Sequence, residues 1–114
     1  MPVTNAEWEV SVDDVKARLD RGEPLLLIDV REPDEHQFCR IEGARLVPLD
    51  RLASEAQQIM QWADDRPVVL HCHRGRRSLT AAAILRECGL ADAWSMAGGI
   101  DEWSRRIDPT VPQY

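Results

Sequence analysis

Nothing in this chain is long and apolar enough to span a membrane: no apolar stretch approaches the roughly 20 residues that a bilayer-crossing helix needs. The opening residues, MPVTNAEWEVSVDD, lack both a basic segment and an apolar one, so no secretory signal is expected. There is no excess of positive charge. Fourteen Lys and Arg stand against 20 Asp and Glu, giving a net charge of −6 and a pI of about 5.0. That balance argues against a nucleic-acid partner, which calls for a broad basic face, and against an anionic membrane surface. The three cysteines are an odd number without tight spacing, so a disulfide framework is not expected and a reducing cytoplasm fits best. Internal repeats and low-complexity tracts are also missing. What remains is the composition of a soluble globule, 44% hydrophobic and 30% charged. Its 114 residues suffice for a single domain over 1–114, with a core over about 8–105 and a tail over 106–114.

Short apolar runs alternate with helical periodicity along the chain. Residues 8–11 (WEVS) read as a first strand. Ser11 then sits as a helix N-cap with Asp14 three residues on, Val12, Val15 and Leu19 share one helical face, and Gly22 marks the stop. PLLLIDV, residues 24–30, has the unbroken apolar character of a parallel strand buried on both faces. REPDEHQF reads as a short helix with Pro33 in its first turn, and ARLVPL, residues 44–49, as a third strand. Leu52, Ala56, Ile59, Met60 and Ala63 form an amphipathic stripe behind a candidate cap at Asp50. RPVVLHC (66–72) is a further buried strand, SLTAAAILREC a helix ending at Gly89, AWSM (93–96) a last strand, and GGIDEW (98–103) the turn into a final helix. Pro109 and Pro112 end regular structure. Alternation of this kind predicts an α/β fold, a parallel sheet with helices on both faces.

In such sheets ligands bind at the carboxyl ends of strands. Cys72 lies at one such end, inside the run His71-Cys72-His73-Arg74-Gly75-Arg76-Arg77-Ser78. A tight loop can turn consecutive backbone N–H groups inward as an anion-binding nest, and a following helix adds its partial positive charge. Arg74, Arg76 and Arg77 add full charges. Surroundings of this kind bring a free thiol from ~8.5 down into the range ~3.5–7.5, so a thiolate nucleophile is expected at neutral pH. A buried structural cysteine would not be bracketed by two histidines and three arginines. That plainer role suits Cys88, four residues after Ile84 on the helix. Metal binding by His71, Cys72 and His73 is not expected, because neighbours in a strand point to opposite faces and no Cys-x-x-Cys or His-x-x-x-His partner exists. His36 reads as a surface residue. No cofactor is implied.

LLLIDVREPDEHQFCRIEGARLVPL, VVLHCHRGRRS and MAGGIDEW together resemble a single rhodanese domain from about Trp8 to Trp103. The most specific element is Cys72-His73-Arg74-Gly75-Arg76-Arg77-Ser78, which fits the family pattern Cys-x-x-Gly-x-Arg-Ser. The resemblance implies a five-stranded parallel sheet, and a Cys72 that accepts a sulfane sulfur and carries it as a persulfide. It places His73, Arg74, Gly75, Arg76 and Arg77 around the substrate, with Asp29, Arg31, Glu32 and Ser78 in support. Arg77 would pair with Glu32 or Asp29; Asp29 could equally just cap the turn that follows its strand. Implied donors are thiosulfate or a protein persulfide, and implied acceptors are cyanide, a thiol or a ubiquitin-like sulfur-carrier protein. The last follows from the C-terminal GGIDEWSRRIDPTVPQY, similar to rhodanese domains fused behind sulfur-carrier activating enzymes. One departure is Cys39-Arg40-Ile41-Glu42-Gly43-Ala44, where the family commonly shows Gly-His-Ile-x-Gly-Ala. Cys39 is expected to pack at a helix end, the alternative being a resolving thiol for Cys72. Related dual-specificity phosphatases use a Cys-x5-Arg loop; here Arg77 gives Cys-x4-Arg, a smaller cradle with no obvious carboxylate beside it to protonate a leaving alkoxide. A non-catalytic interaction module is the third reading, opposed by the intact cysteine.

Overall fold

A computed structural model of the protein describes residues 6–114. Five strands form one parallel sheet in the order β1-β5-β4-β2-β3: β1 (Glu9–Val10), β2 (Leu26–Asp29), β3 (Arg45–Leu46), β4 (Val68–His71) and β5 (Ala93–Met96). β4 is central. It pairs with β2 from Leu26↔Val68 to Asp29↔His71, and with β5 from Val68↔Ala93 to Leu70↔Ser95. Four helices lie between successive strands, α1 (Val12–Asp20), α2 (Pro33–Phe38), α3 (Ala56–Ala63) and α4 (Arg76–Glu87), and α5 (Gly99–Arg106) follows β5. No helix among the described residues is long and apolar enough to cross a membrane.

The unbroken apolar runs of β2 and β4 are explained by burial of every residue in both strands. Alternate side chains feed two cores. Leu26, Ile28, Val30, Val68, Leu70 and Cys72 pack with Leu52, Ile59, Ala81, Ala82 and Leu85 beneath α3 and α4. Leu27 and Val69 pack on the opposite face with Val12, Val15, Ile100 and Trp103 of α1 and α5. The small residues of α4 (Ala81, Ala82) let that helix lie close to the sheet, as its sequence predicts.

Local details depart from expectation in several places. Ser11 caps α1 by accepting from the Asp14 amide at 3.0 Å, but Leu19, in the last turn of the helix, is exposed. Asp50 does not cap α3. A 3-10 turn spans Leu49–Arg51, and the helix starts only at Ala56. α4 starts at Arg76 rather than Ser78, with Gly75 as its N-cap, so two of the loop arginines belong to the first turn of a helix. Cys88 is exposed at the end of that helix and is not the packed hydrophobe that its spacing from Ile84 predicts. Trp8 and Trp94 are half-buried around the Arg86 guanidinium, and Trp62 is half-buried against Arg45.

Two features fix the carboxyl end of β4. The first is a glycine contact. The amides of Ile100 and Asp101, in the first turn of α5, donate to the carbonyls of Cys72 and His73 at 2.9 and 3.0 Å. A Cβ on Gly99 would lie 2.5 Å from the His73 carbonyl oxygen and 2.6 Å from that of Cys72, and its φ is +61°. Only glycine allows this approach. The second is a buried polar layer on the α1/α5 side, where Asp29 and His71 sit opposite each other in register. Burial drives the His71 imidazole down to about 4, against the favourable charge of Asp29 and with the opposing charges of Arg31 and His36. His71 is therefore neutral. Its Nδ1 lies 3.4 Å from the Cys72 carbonyl, and its Nε2 has no partner among the described residues.

Two predictions follow from this end of the sheet. Gly99→Ala meets both the positive φ and the two carbonyl oxygens, whereas Gly22→Ala, with φ +71° and open space around it, meets only the first. Gly99→Ala is expected to lose roughly 1–3 kcal/mol more than Gly22→Ala in urea unfolding; equal losses would show that the loop contact is not tight. His71 binds its proton more weakly folded than unfolded. Its contribution to stability is present in full above about pH 6.5 and declines as pH falls to about 4, by up to roughly 3 kcal/mol. His71→Leu should flatten the unfolding-midpoint curve in that window, leaving the carboxylate-driven decline below it.

Candidate active site

The loop between β4 and α4 is built around one sulfur. Cys72 follows the central strand and is 1% exposed. The Gly75 amide donates to its Sγ at 3.0 Å, and the Ser78 Oγ lies 3.5 Å from it. Gly75 has φ +101°, a left-handed conformation that favours glycine, and a Cβ there would press on the Gly98 nitrogen at 3.0 Å. The amides of Arg76, Arg77 and Ser78 begin α4 and have no backbone acceptor among the described residues. This is the nest that the loop sequence predicts, with α4 adding the positive end of its dipole.

The three arginines divide into two kinds. Arg77 is paired: its Nη1 and Nη2 reach the two carboxylate oxygens of Glu35, on α2, at 2.7 and 3.0 Å. The expected partners were Glu32 and Asp29. Glu32 instead caps α2, its amide donating to Glu35 Oε1 at 3.0 Å, and Asp29 is engaged elsewhere. The Arg77 hydrogen bonds hold the Glu35 carboxyl down at about 2, with burial opposing and the Glu32 amide and Tyr114 hydroxyl assisting. A carboxylate thus does stand beside the loop, contrary to expectation, but it is firmly ionised. Arg74 and Arg76 are exposed and make no salt bridge to a described carboxylate. They are the uncommitted charges at the rim.

Arg31 and Asp29 form a fully buried ion pair beneath the site. Arg31 Nε and Nη2 bond the two Asp29 oxygens at 2.9 and 2.7 Å, and the Arg31 amide bonds Asp29 Oδ1 at 3.0 Å. Asp29 therefore does cap the turn after its strand, and also neutralises Arg31. Burial alone would raise the Asp29 carboxyl; the hydrogen bonds from Arg31 and from His36 outweigh it and hold it below the usual range. His36 is no free surface residue: its Nδ1 lies 2.8 Å from Asp29 Oδ2. Arg31 also donates to the Cys39 carbonyl at 2.6 Å, the Glu35 carbonyl at 3.3 Å and the Tyr114 hydroxyl at 2.8 Å. Cys39 packs in the core on the α1/α5 side, its Sγ 3.8 Å from Arg31 Nη1 and 3.7 Å from the Pro112 carbonyl. Cys72 belongs to the core on the other face. The sheet lies between the two cores, which fits the packing role for Cys39.

Three residues that sequence reasoning missed join the site. Glu35 was hidden in a polar helix with several acids. Tyr114 lies in the tail that proline signals had placed outside regular structure; its ring stacks on His73 at 3.9 Å between centroids, and its hydroxyl donates to Glu35 Oε2 at 2.7 Å. Burial pushes the phenol up to about 12, with Arg31 opposing and Glu35 assisting. Ser95, on β5, is fully buried, with its Oγ 2.7 Å from Ser78 Oγ. A lone hydroxyl in the buried strand AWSM was the one available signal.

The chain matches the family model described as a rhodanese-like domain over residues 11–106. It is 38% identical over 96 residues to a probable adenylyltransferase/sulfurtransferase, MoeZ, of Mycobacterium tuberculosis; the match covers 84% of this chain and 24% of that protein. The chain thus spans about a quarter of the length of that relative. Among solved structures, a human single-domain sulfurtransferase, TSTD1, superposes with a TM-score of 0.75 at 27% identity, covering 87% of this chain and 96% of that one. A Rhodopseudomonas palustris protein of unknown function, described as a possible tyrosine phosphatase, superposes at 0.80 over 100% of this chain and 99% of that one, but at 24% identity it speaks to the fold alone. With that match over most of its length, and the loop and sheet order described above, the chain belongs to the rhodanese-like domain family, related to sulfurtransferases.

Proposed function

We propose that this protein is a sulfurtransferase that carries sulfane sulfur as a persulfide on Cys72. The observation that carries the reading is the Gly75 amide 3.0 Å from Cys72 Sγ, at the mouth of a helix whose first amides have no backbone acceptor among the described residues. That arrangement favours negative charge on sulfur and leaves donors for a second sulfur beyond it. Thiosulfate or a protein persulfide is the donor. The Cys72 thiolate attacks the outer sulfur, the donor's S–S bond breaks, and sulfite or a thiol leaves with the electron pair. An acceptor then attacks the terminal sulfur of Cys72–S–S⁻, and Cys72 leaves as thiolate. The acceptor is cyanide, a thiol or a ubiquitin-like sulfur-carrier protein. No proton need be transferred to a leaving alkoxide, which suits a site where the carboxylate paired with Arg77, Glu35, is held down at about 2. Phosphate-ester hydrolysis would need that proton. Arg74 and Arg76 draw in the anionic donor, His73 and Arg77 line the approach, and Asp29, Arg31, Glu32 and Ser78 support the loop.

Intact-protein mass spectrometry after exposure to thiosulfate tests the reading. The wild type should gain one sulfur atom, and Cys72→Ser should gain none and should lose thiosulfate:cyanide turnover while keeping its thermal melt. Serine is not ionised at neutral pH and cannot hold a sulfane sulfur. Persistent turnover in Cys72→Ser would move the nucleophile elsewhere.

The rim charges make a separate forecast. Arg74→Gln with Arg76→Gln should raise KM for thiosulfate several-fold and change kcat little, because the lost interaction is uniform binding. The wild type should also lose apparent affinity as salt rises, since exposed charges are screened over about 8 Å at physiological ionic strength. A double variant with unchanged KM and salt dependence would remove both arginines from donor capture.

A further inference from the structure

Cys72 Sγ, Ser78 Oγ and Ser95 Oγ form a buried chain in which the only links are 3.5 Å from sulfur to Ser78 and 2.7 Å from Ser78 to Ser95. All three residues are at most 1% exposed. Ser95 Oγ makes no other hydrogen bond among the described residues, and the remaining partner of Sγ is a donor, the Gly75 amide. A row of three such atoms has two links and room for two hydrogens. With Cys72 as a thiol there are three hydrogens, and the third must point from one end of the row into a buried space without an acceptor. With Cys72 as a thiolate there are two. Ser95 donates to Ser78, Ser78 donates to sulfur, and the Gly75 amide supplies a third donor. The anion is the form in which every buried hydrogen has an acceptor, and an unmet buried donor costs about 1–3 kcal/mol.

We propose that Ser95 is a positioning residue for Cys72: it fixes the Ser78 hydroxyl as a donor aimed at sulfur, and so favours the thiolate both before attack and as the group that leaves when the persulfide is discharged. The inference rests on the sulfur-transfer reading only for the second half of that role. In discharge, the acceptor's electron pair forms a bond to the terminal sulfur, the S–S bond breaks, and its pair goes to Cys72 Sγ. The directed hydroxyl stabilises that new anion without giving up its proton. Ser95 touches neither substrate nor sulfur and acts only through Ser78.

The charged and titratable groups around the row lie outside it: Arg76 and Arg77 on α4, His73 and Arg74 on the loop, His71 at the end of β4 and Glu35 on α2. None is altered by Ser95→Ala, so the substitution isolates the hydroxyl. The test is the rate of Cys72 alkylation by iodoacetamide from pH 5 to 10, with Cys39 and Cys88 replaced by Ala in every protein. Ser95→Ala should react about three- to tenfold more slowly than its parent near pH 6, with its profile displaced to higher pH and the two rates converging at the alkaline end. Ser78→Ala should show at least as large a displacement, and adding Ser95→Ala to it should change nothing further. Superimposed profiles for parent and Ser95→Ala, or an additional displacement in the double variant, would overturn the proposal. A Ser95→Ala protein that melts lower but keeps the parent profile would make Ser95 a packing residue, which also overturns it. Alkylation does not involve sulfur transfer. If the wild type takes no sulfur from thiosulfate while Ser95→Ala still displaces the profile, the functional reading fails and the hydroxyl row stands.

Discussion

The structure of the site depends on one close approach between two pieces of backbone. The first turn of α5 lies so near the Cys72–His73 segment that a methyl group on Gly99 would sit 2.5–2.6 Å from two carbonyl oxygens. Those carbonyls are occupied by the amides of Ile100 and Asp101. With the acceptors of residues 72 and 73 turned toward α5, the loop is free to present donors on its other side, and Gly75 does so at 3.0 Å from the sulfur. Gly75 itself packs against Gly98, so the glycines of two distant segments fit together with no side chain between them. The nest is not a local property of the loop sequence. It exists because a second helix holds the carbonyls out of the way.

Beneath this contact the charges are arranged to cancel in pairs. Arg31 is consumed by Asp29 and by three further acceptors, and Arg77 by Glu35. Removing one partner of the buried Asp29–Arg31 pair would strand the other, at a cost of roughly 3–5 kcal/mol. Tyr114 ties the two pairs together, since its hydroxyl meets Arg31 on one side and Glu35 on the other while its ring covers His73. The segment carrying Tyr114 thereby braces the loop, α2 and the end of β2 at once.

How much of this was legible in the sequence follows the range of the interactions. The strands buried on both faces, the helix cap at Ser11, a cysteine at a strand end and the basic loop around it are written in contiguous residues, and each was readable. The glycine pair in GGIDEW marked a turn, but its contact with the loop is formed by residues about 25 positions apart and leaves no periodic trace. Glu35 could not be told from its acidic neighbours because the choice of partner for Arg77 depends on how α2 is rolled against the loop. Leu19 and Cys88 failed for a related reason: spacing gives a helical face, and only the tertiary position of a helix end decides whether that face is covered. Tyr114 had no signal at all, because an extended tail bonded through side chains carries neither period nor propensity.

The paired charges also explain why an acidic protein carries so basic a loop. The net charge of −6 repels small anions at long range, yet the field within a few ångströms of Cys72 is set by what is left after pairing. Two arginines remain, Arg74 and Arg76, both exposed, together with the open end of α4. Exposure makes those two charges weak stabilisers of the fold and easily screened, which suits a role in capture rather than in chemistry. The sulfur itself meets different groups, the Gly75 amide and the Ser78 hydroxyl, neutral and buried. Neutral donors do not attract competing anions from a distance, and once buried they need no reorganisation when charge moves onto the sulfur. The same loop thus has two separate layers, charged on the rim and dipolar within.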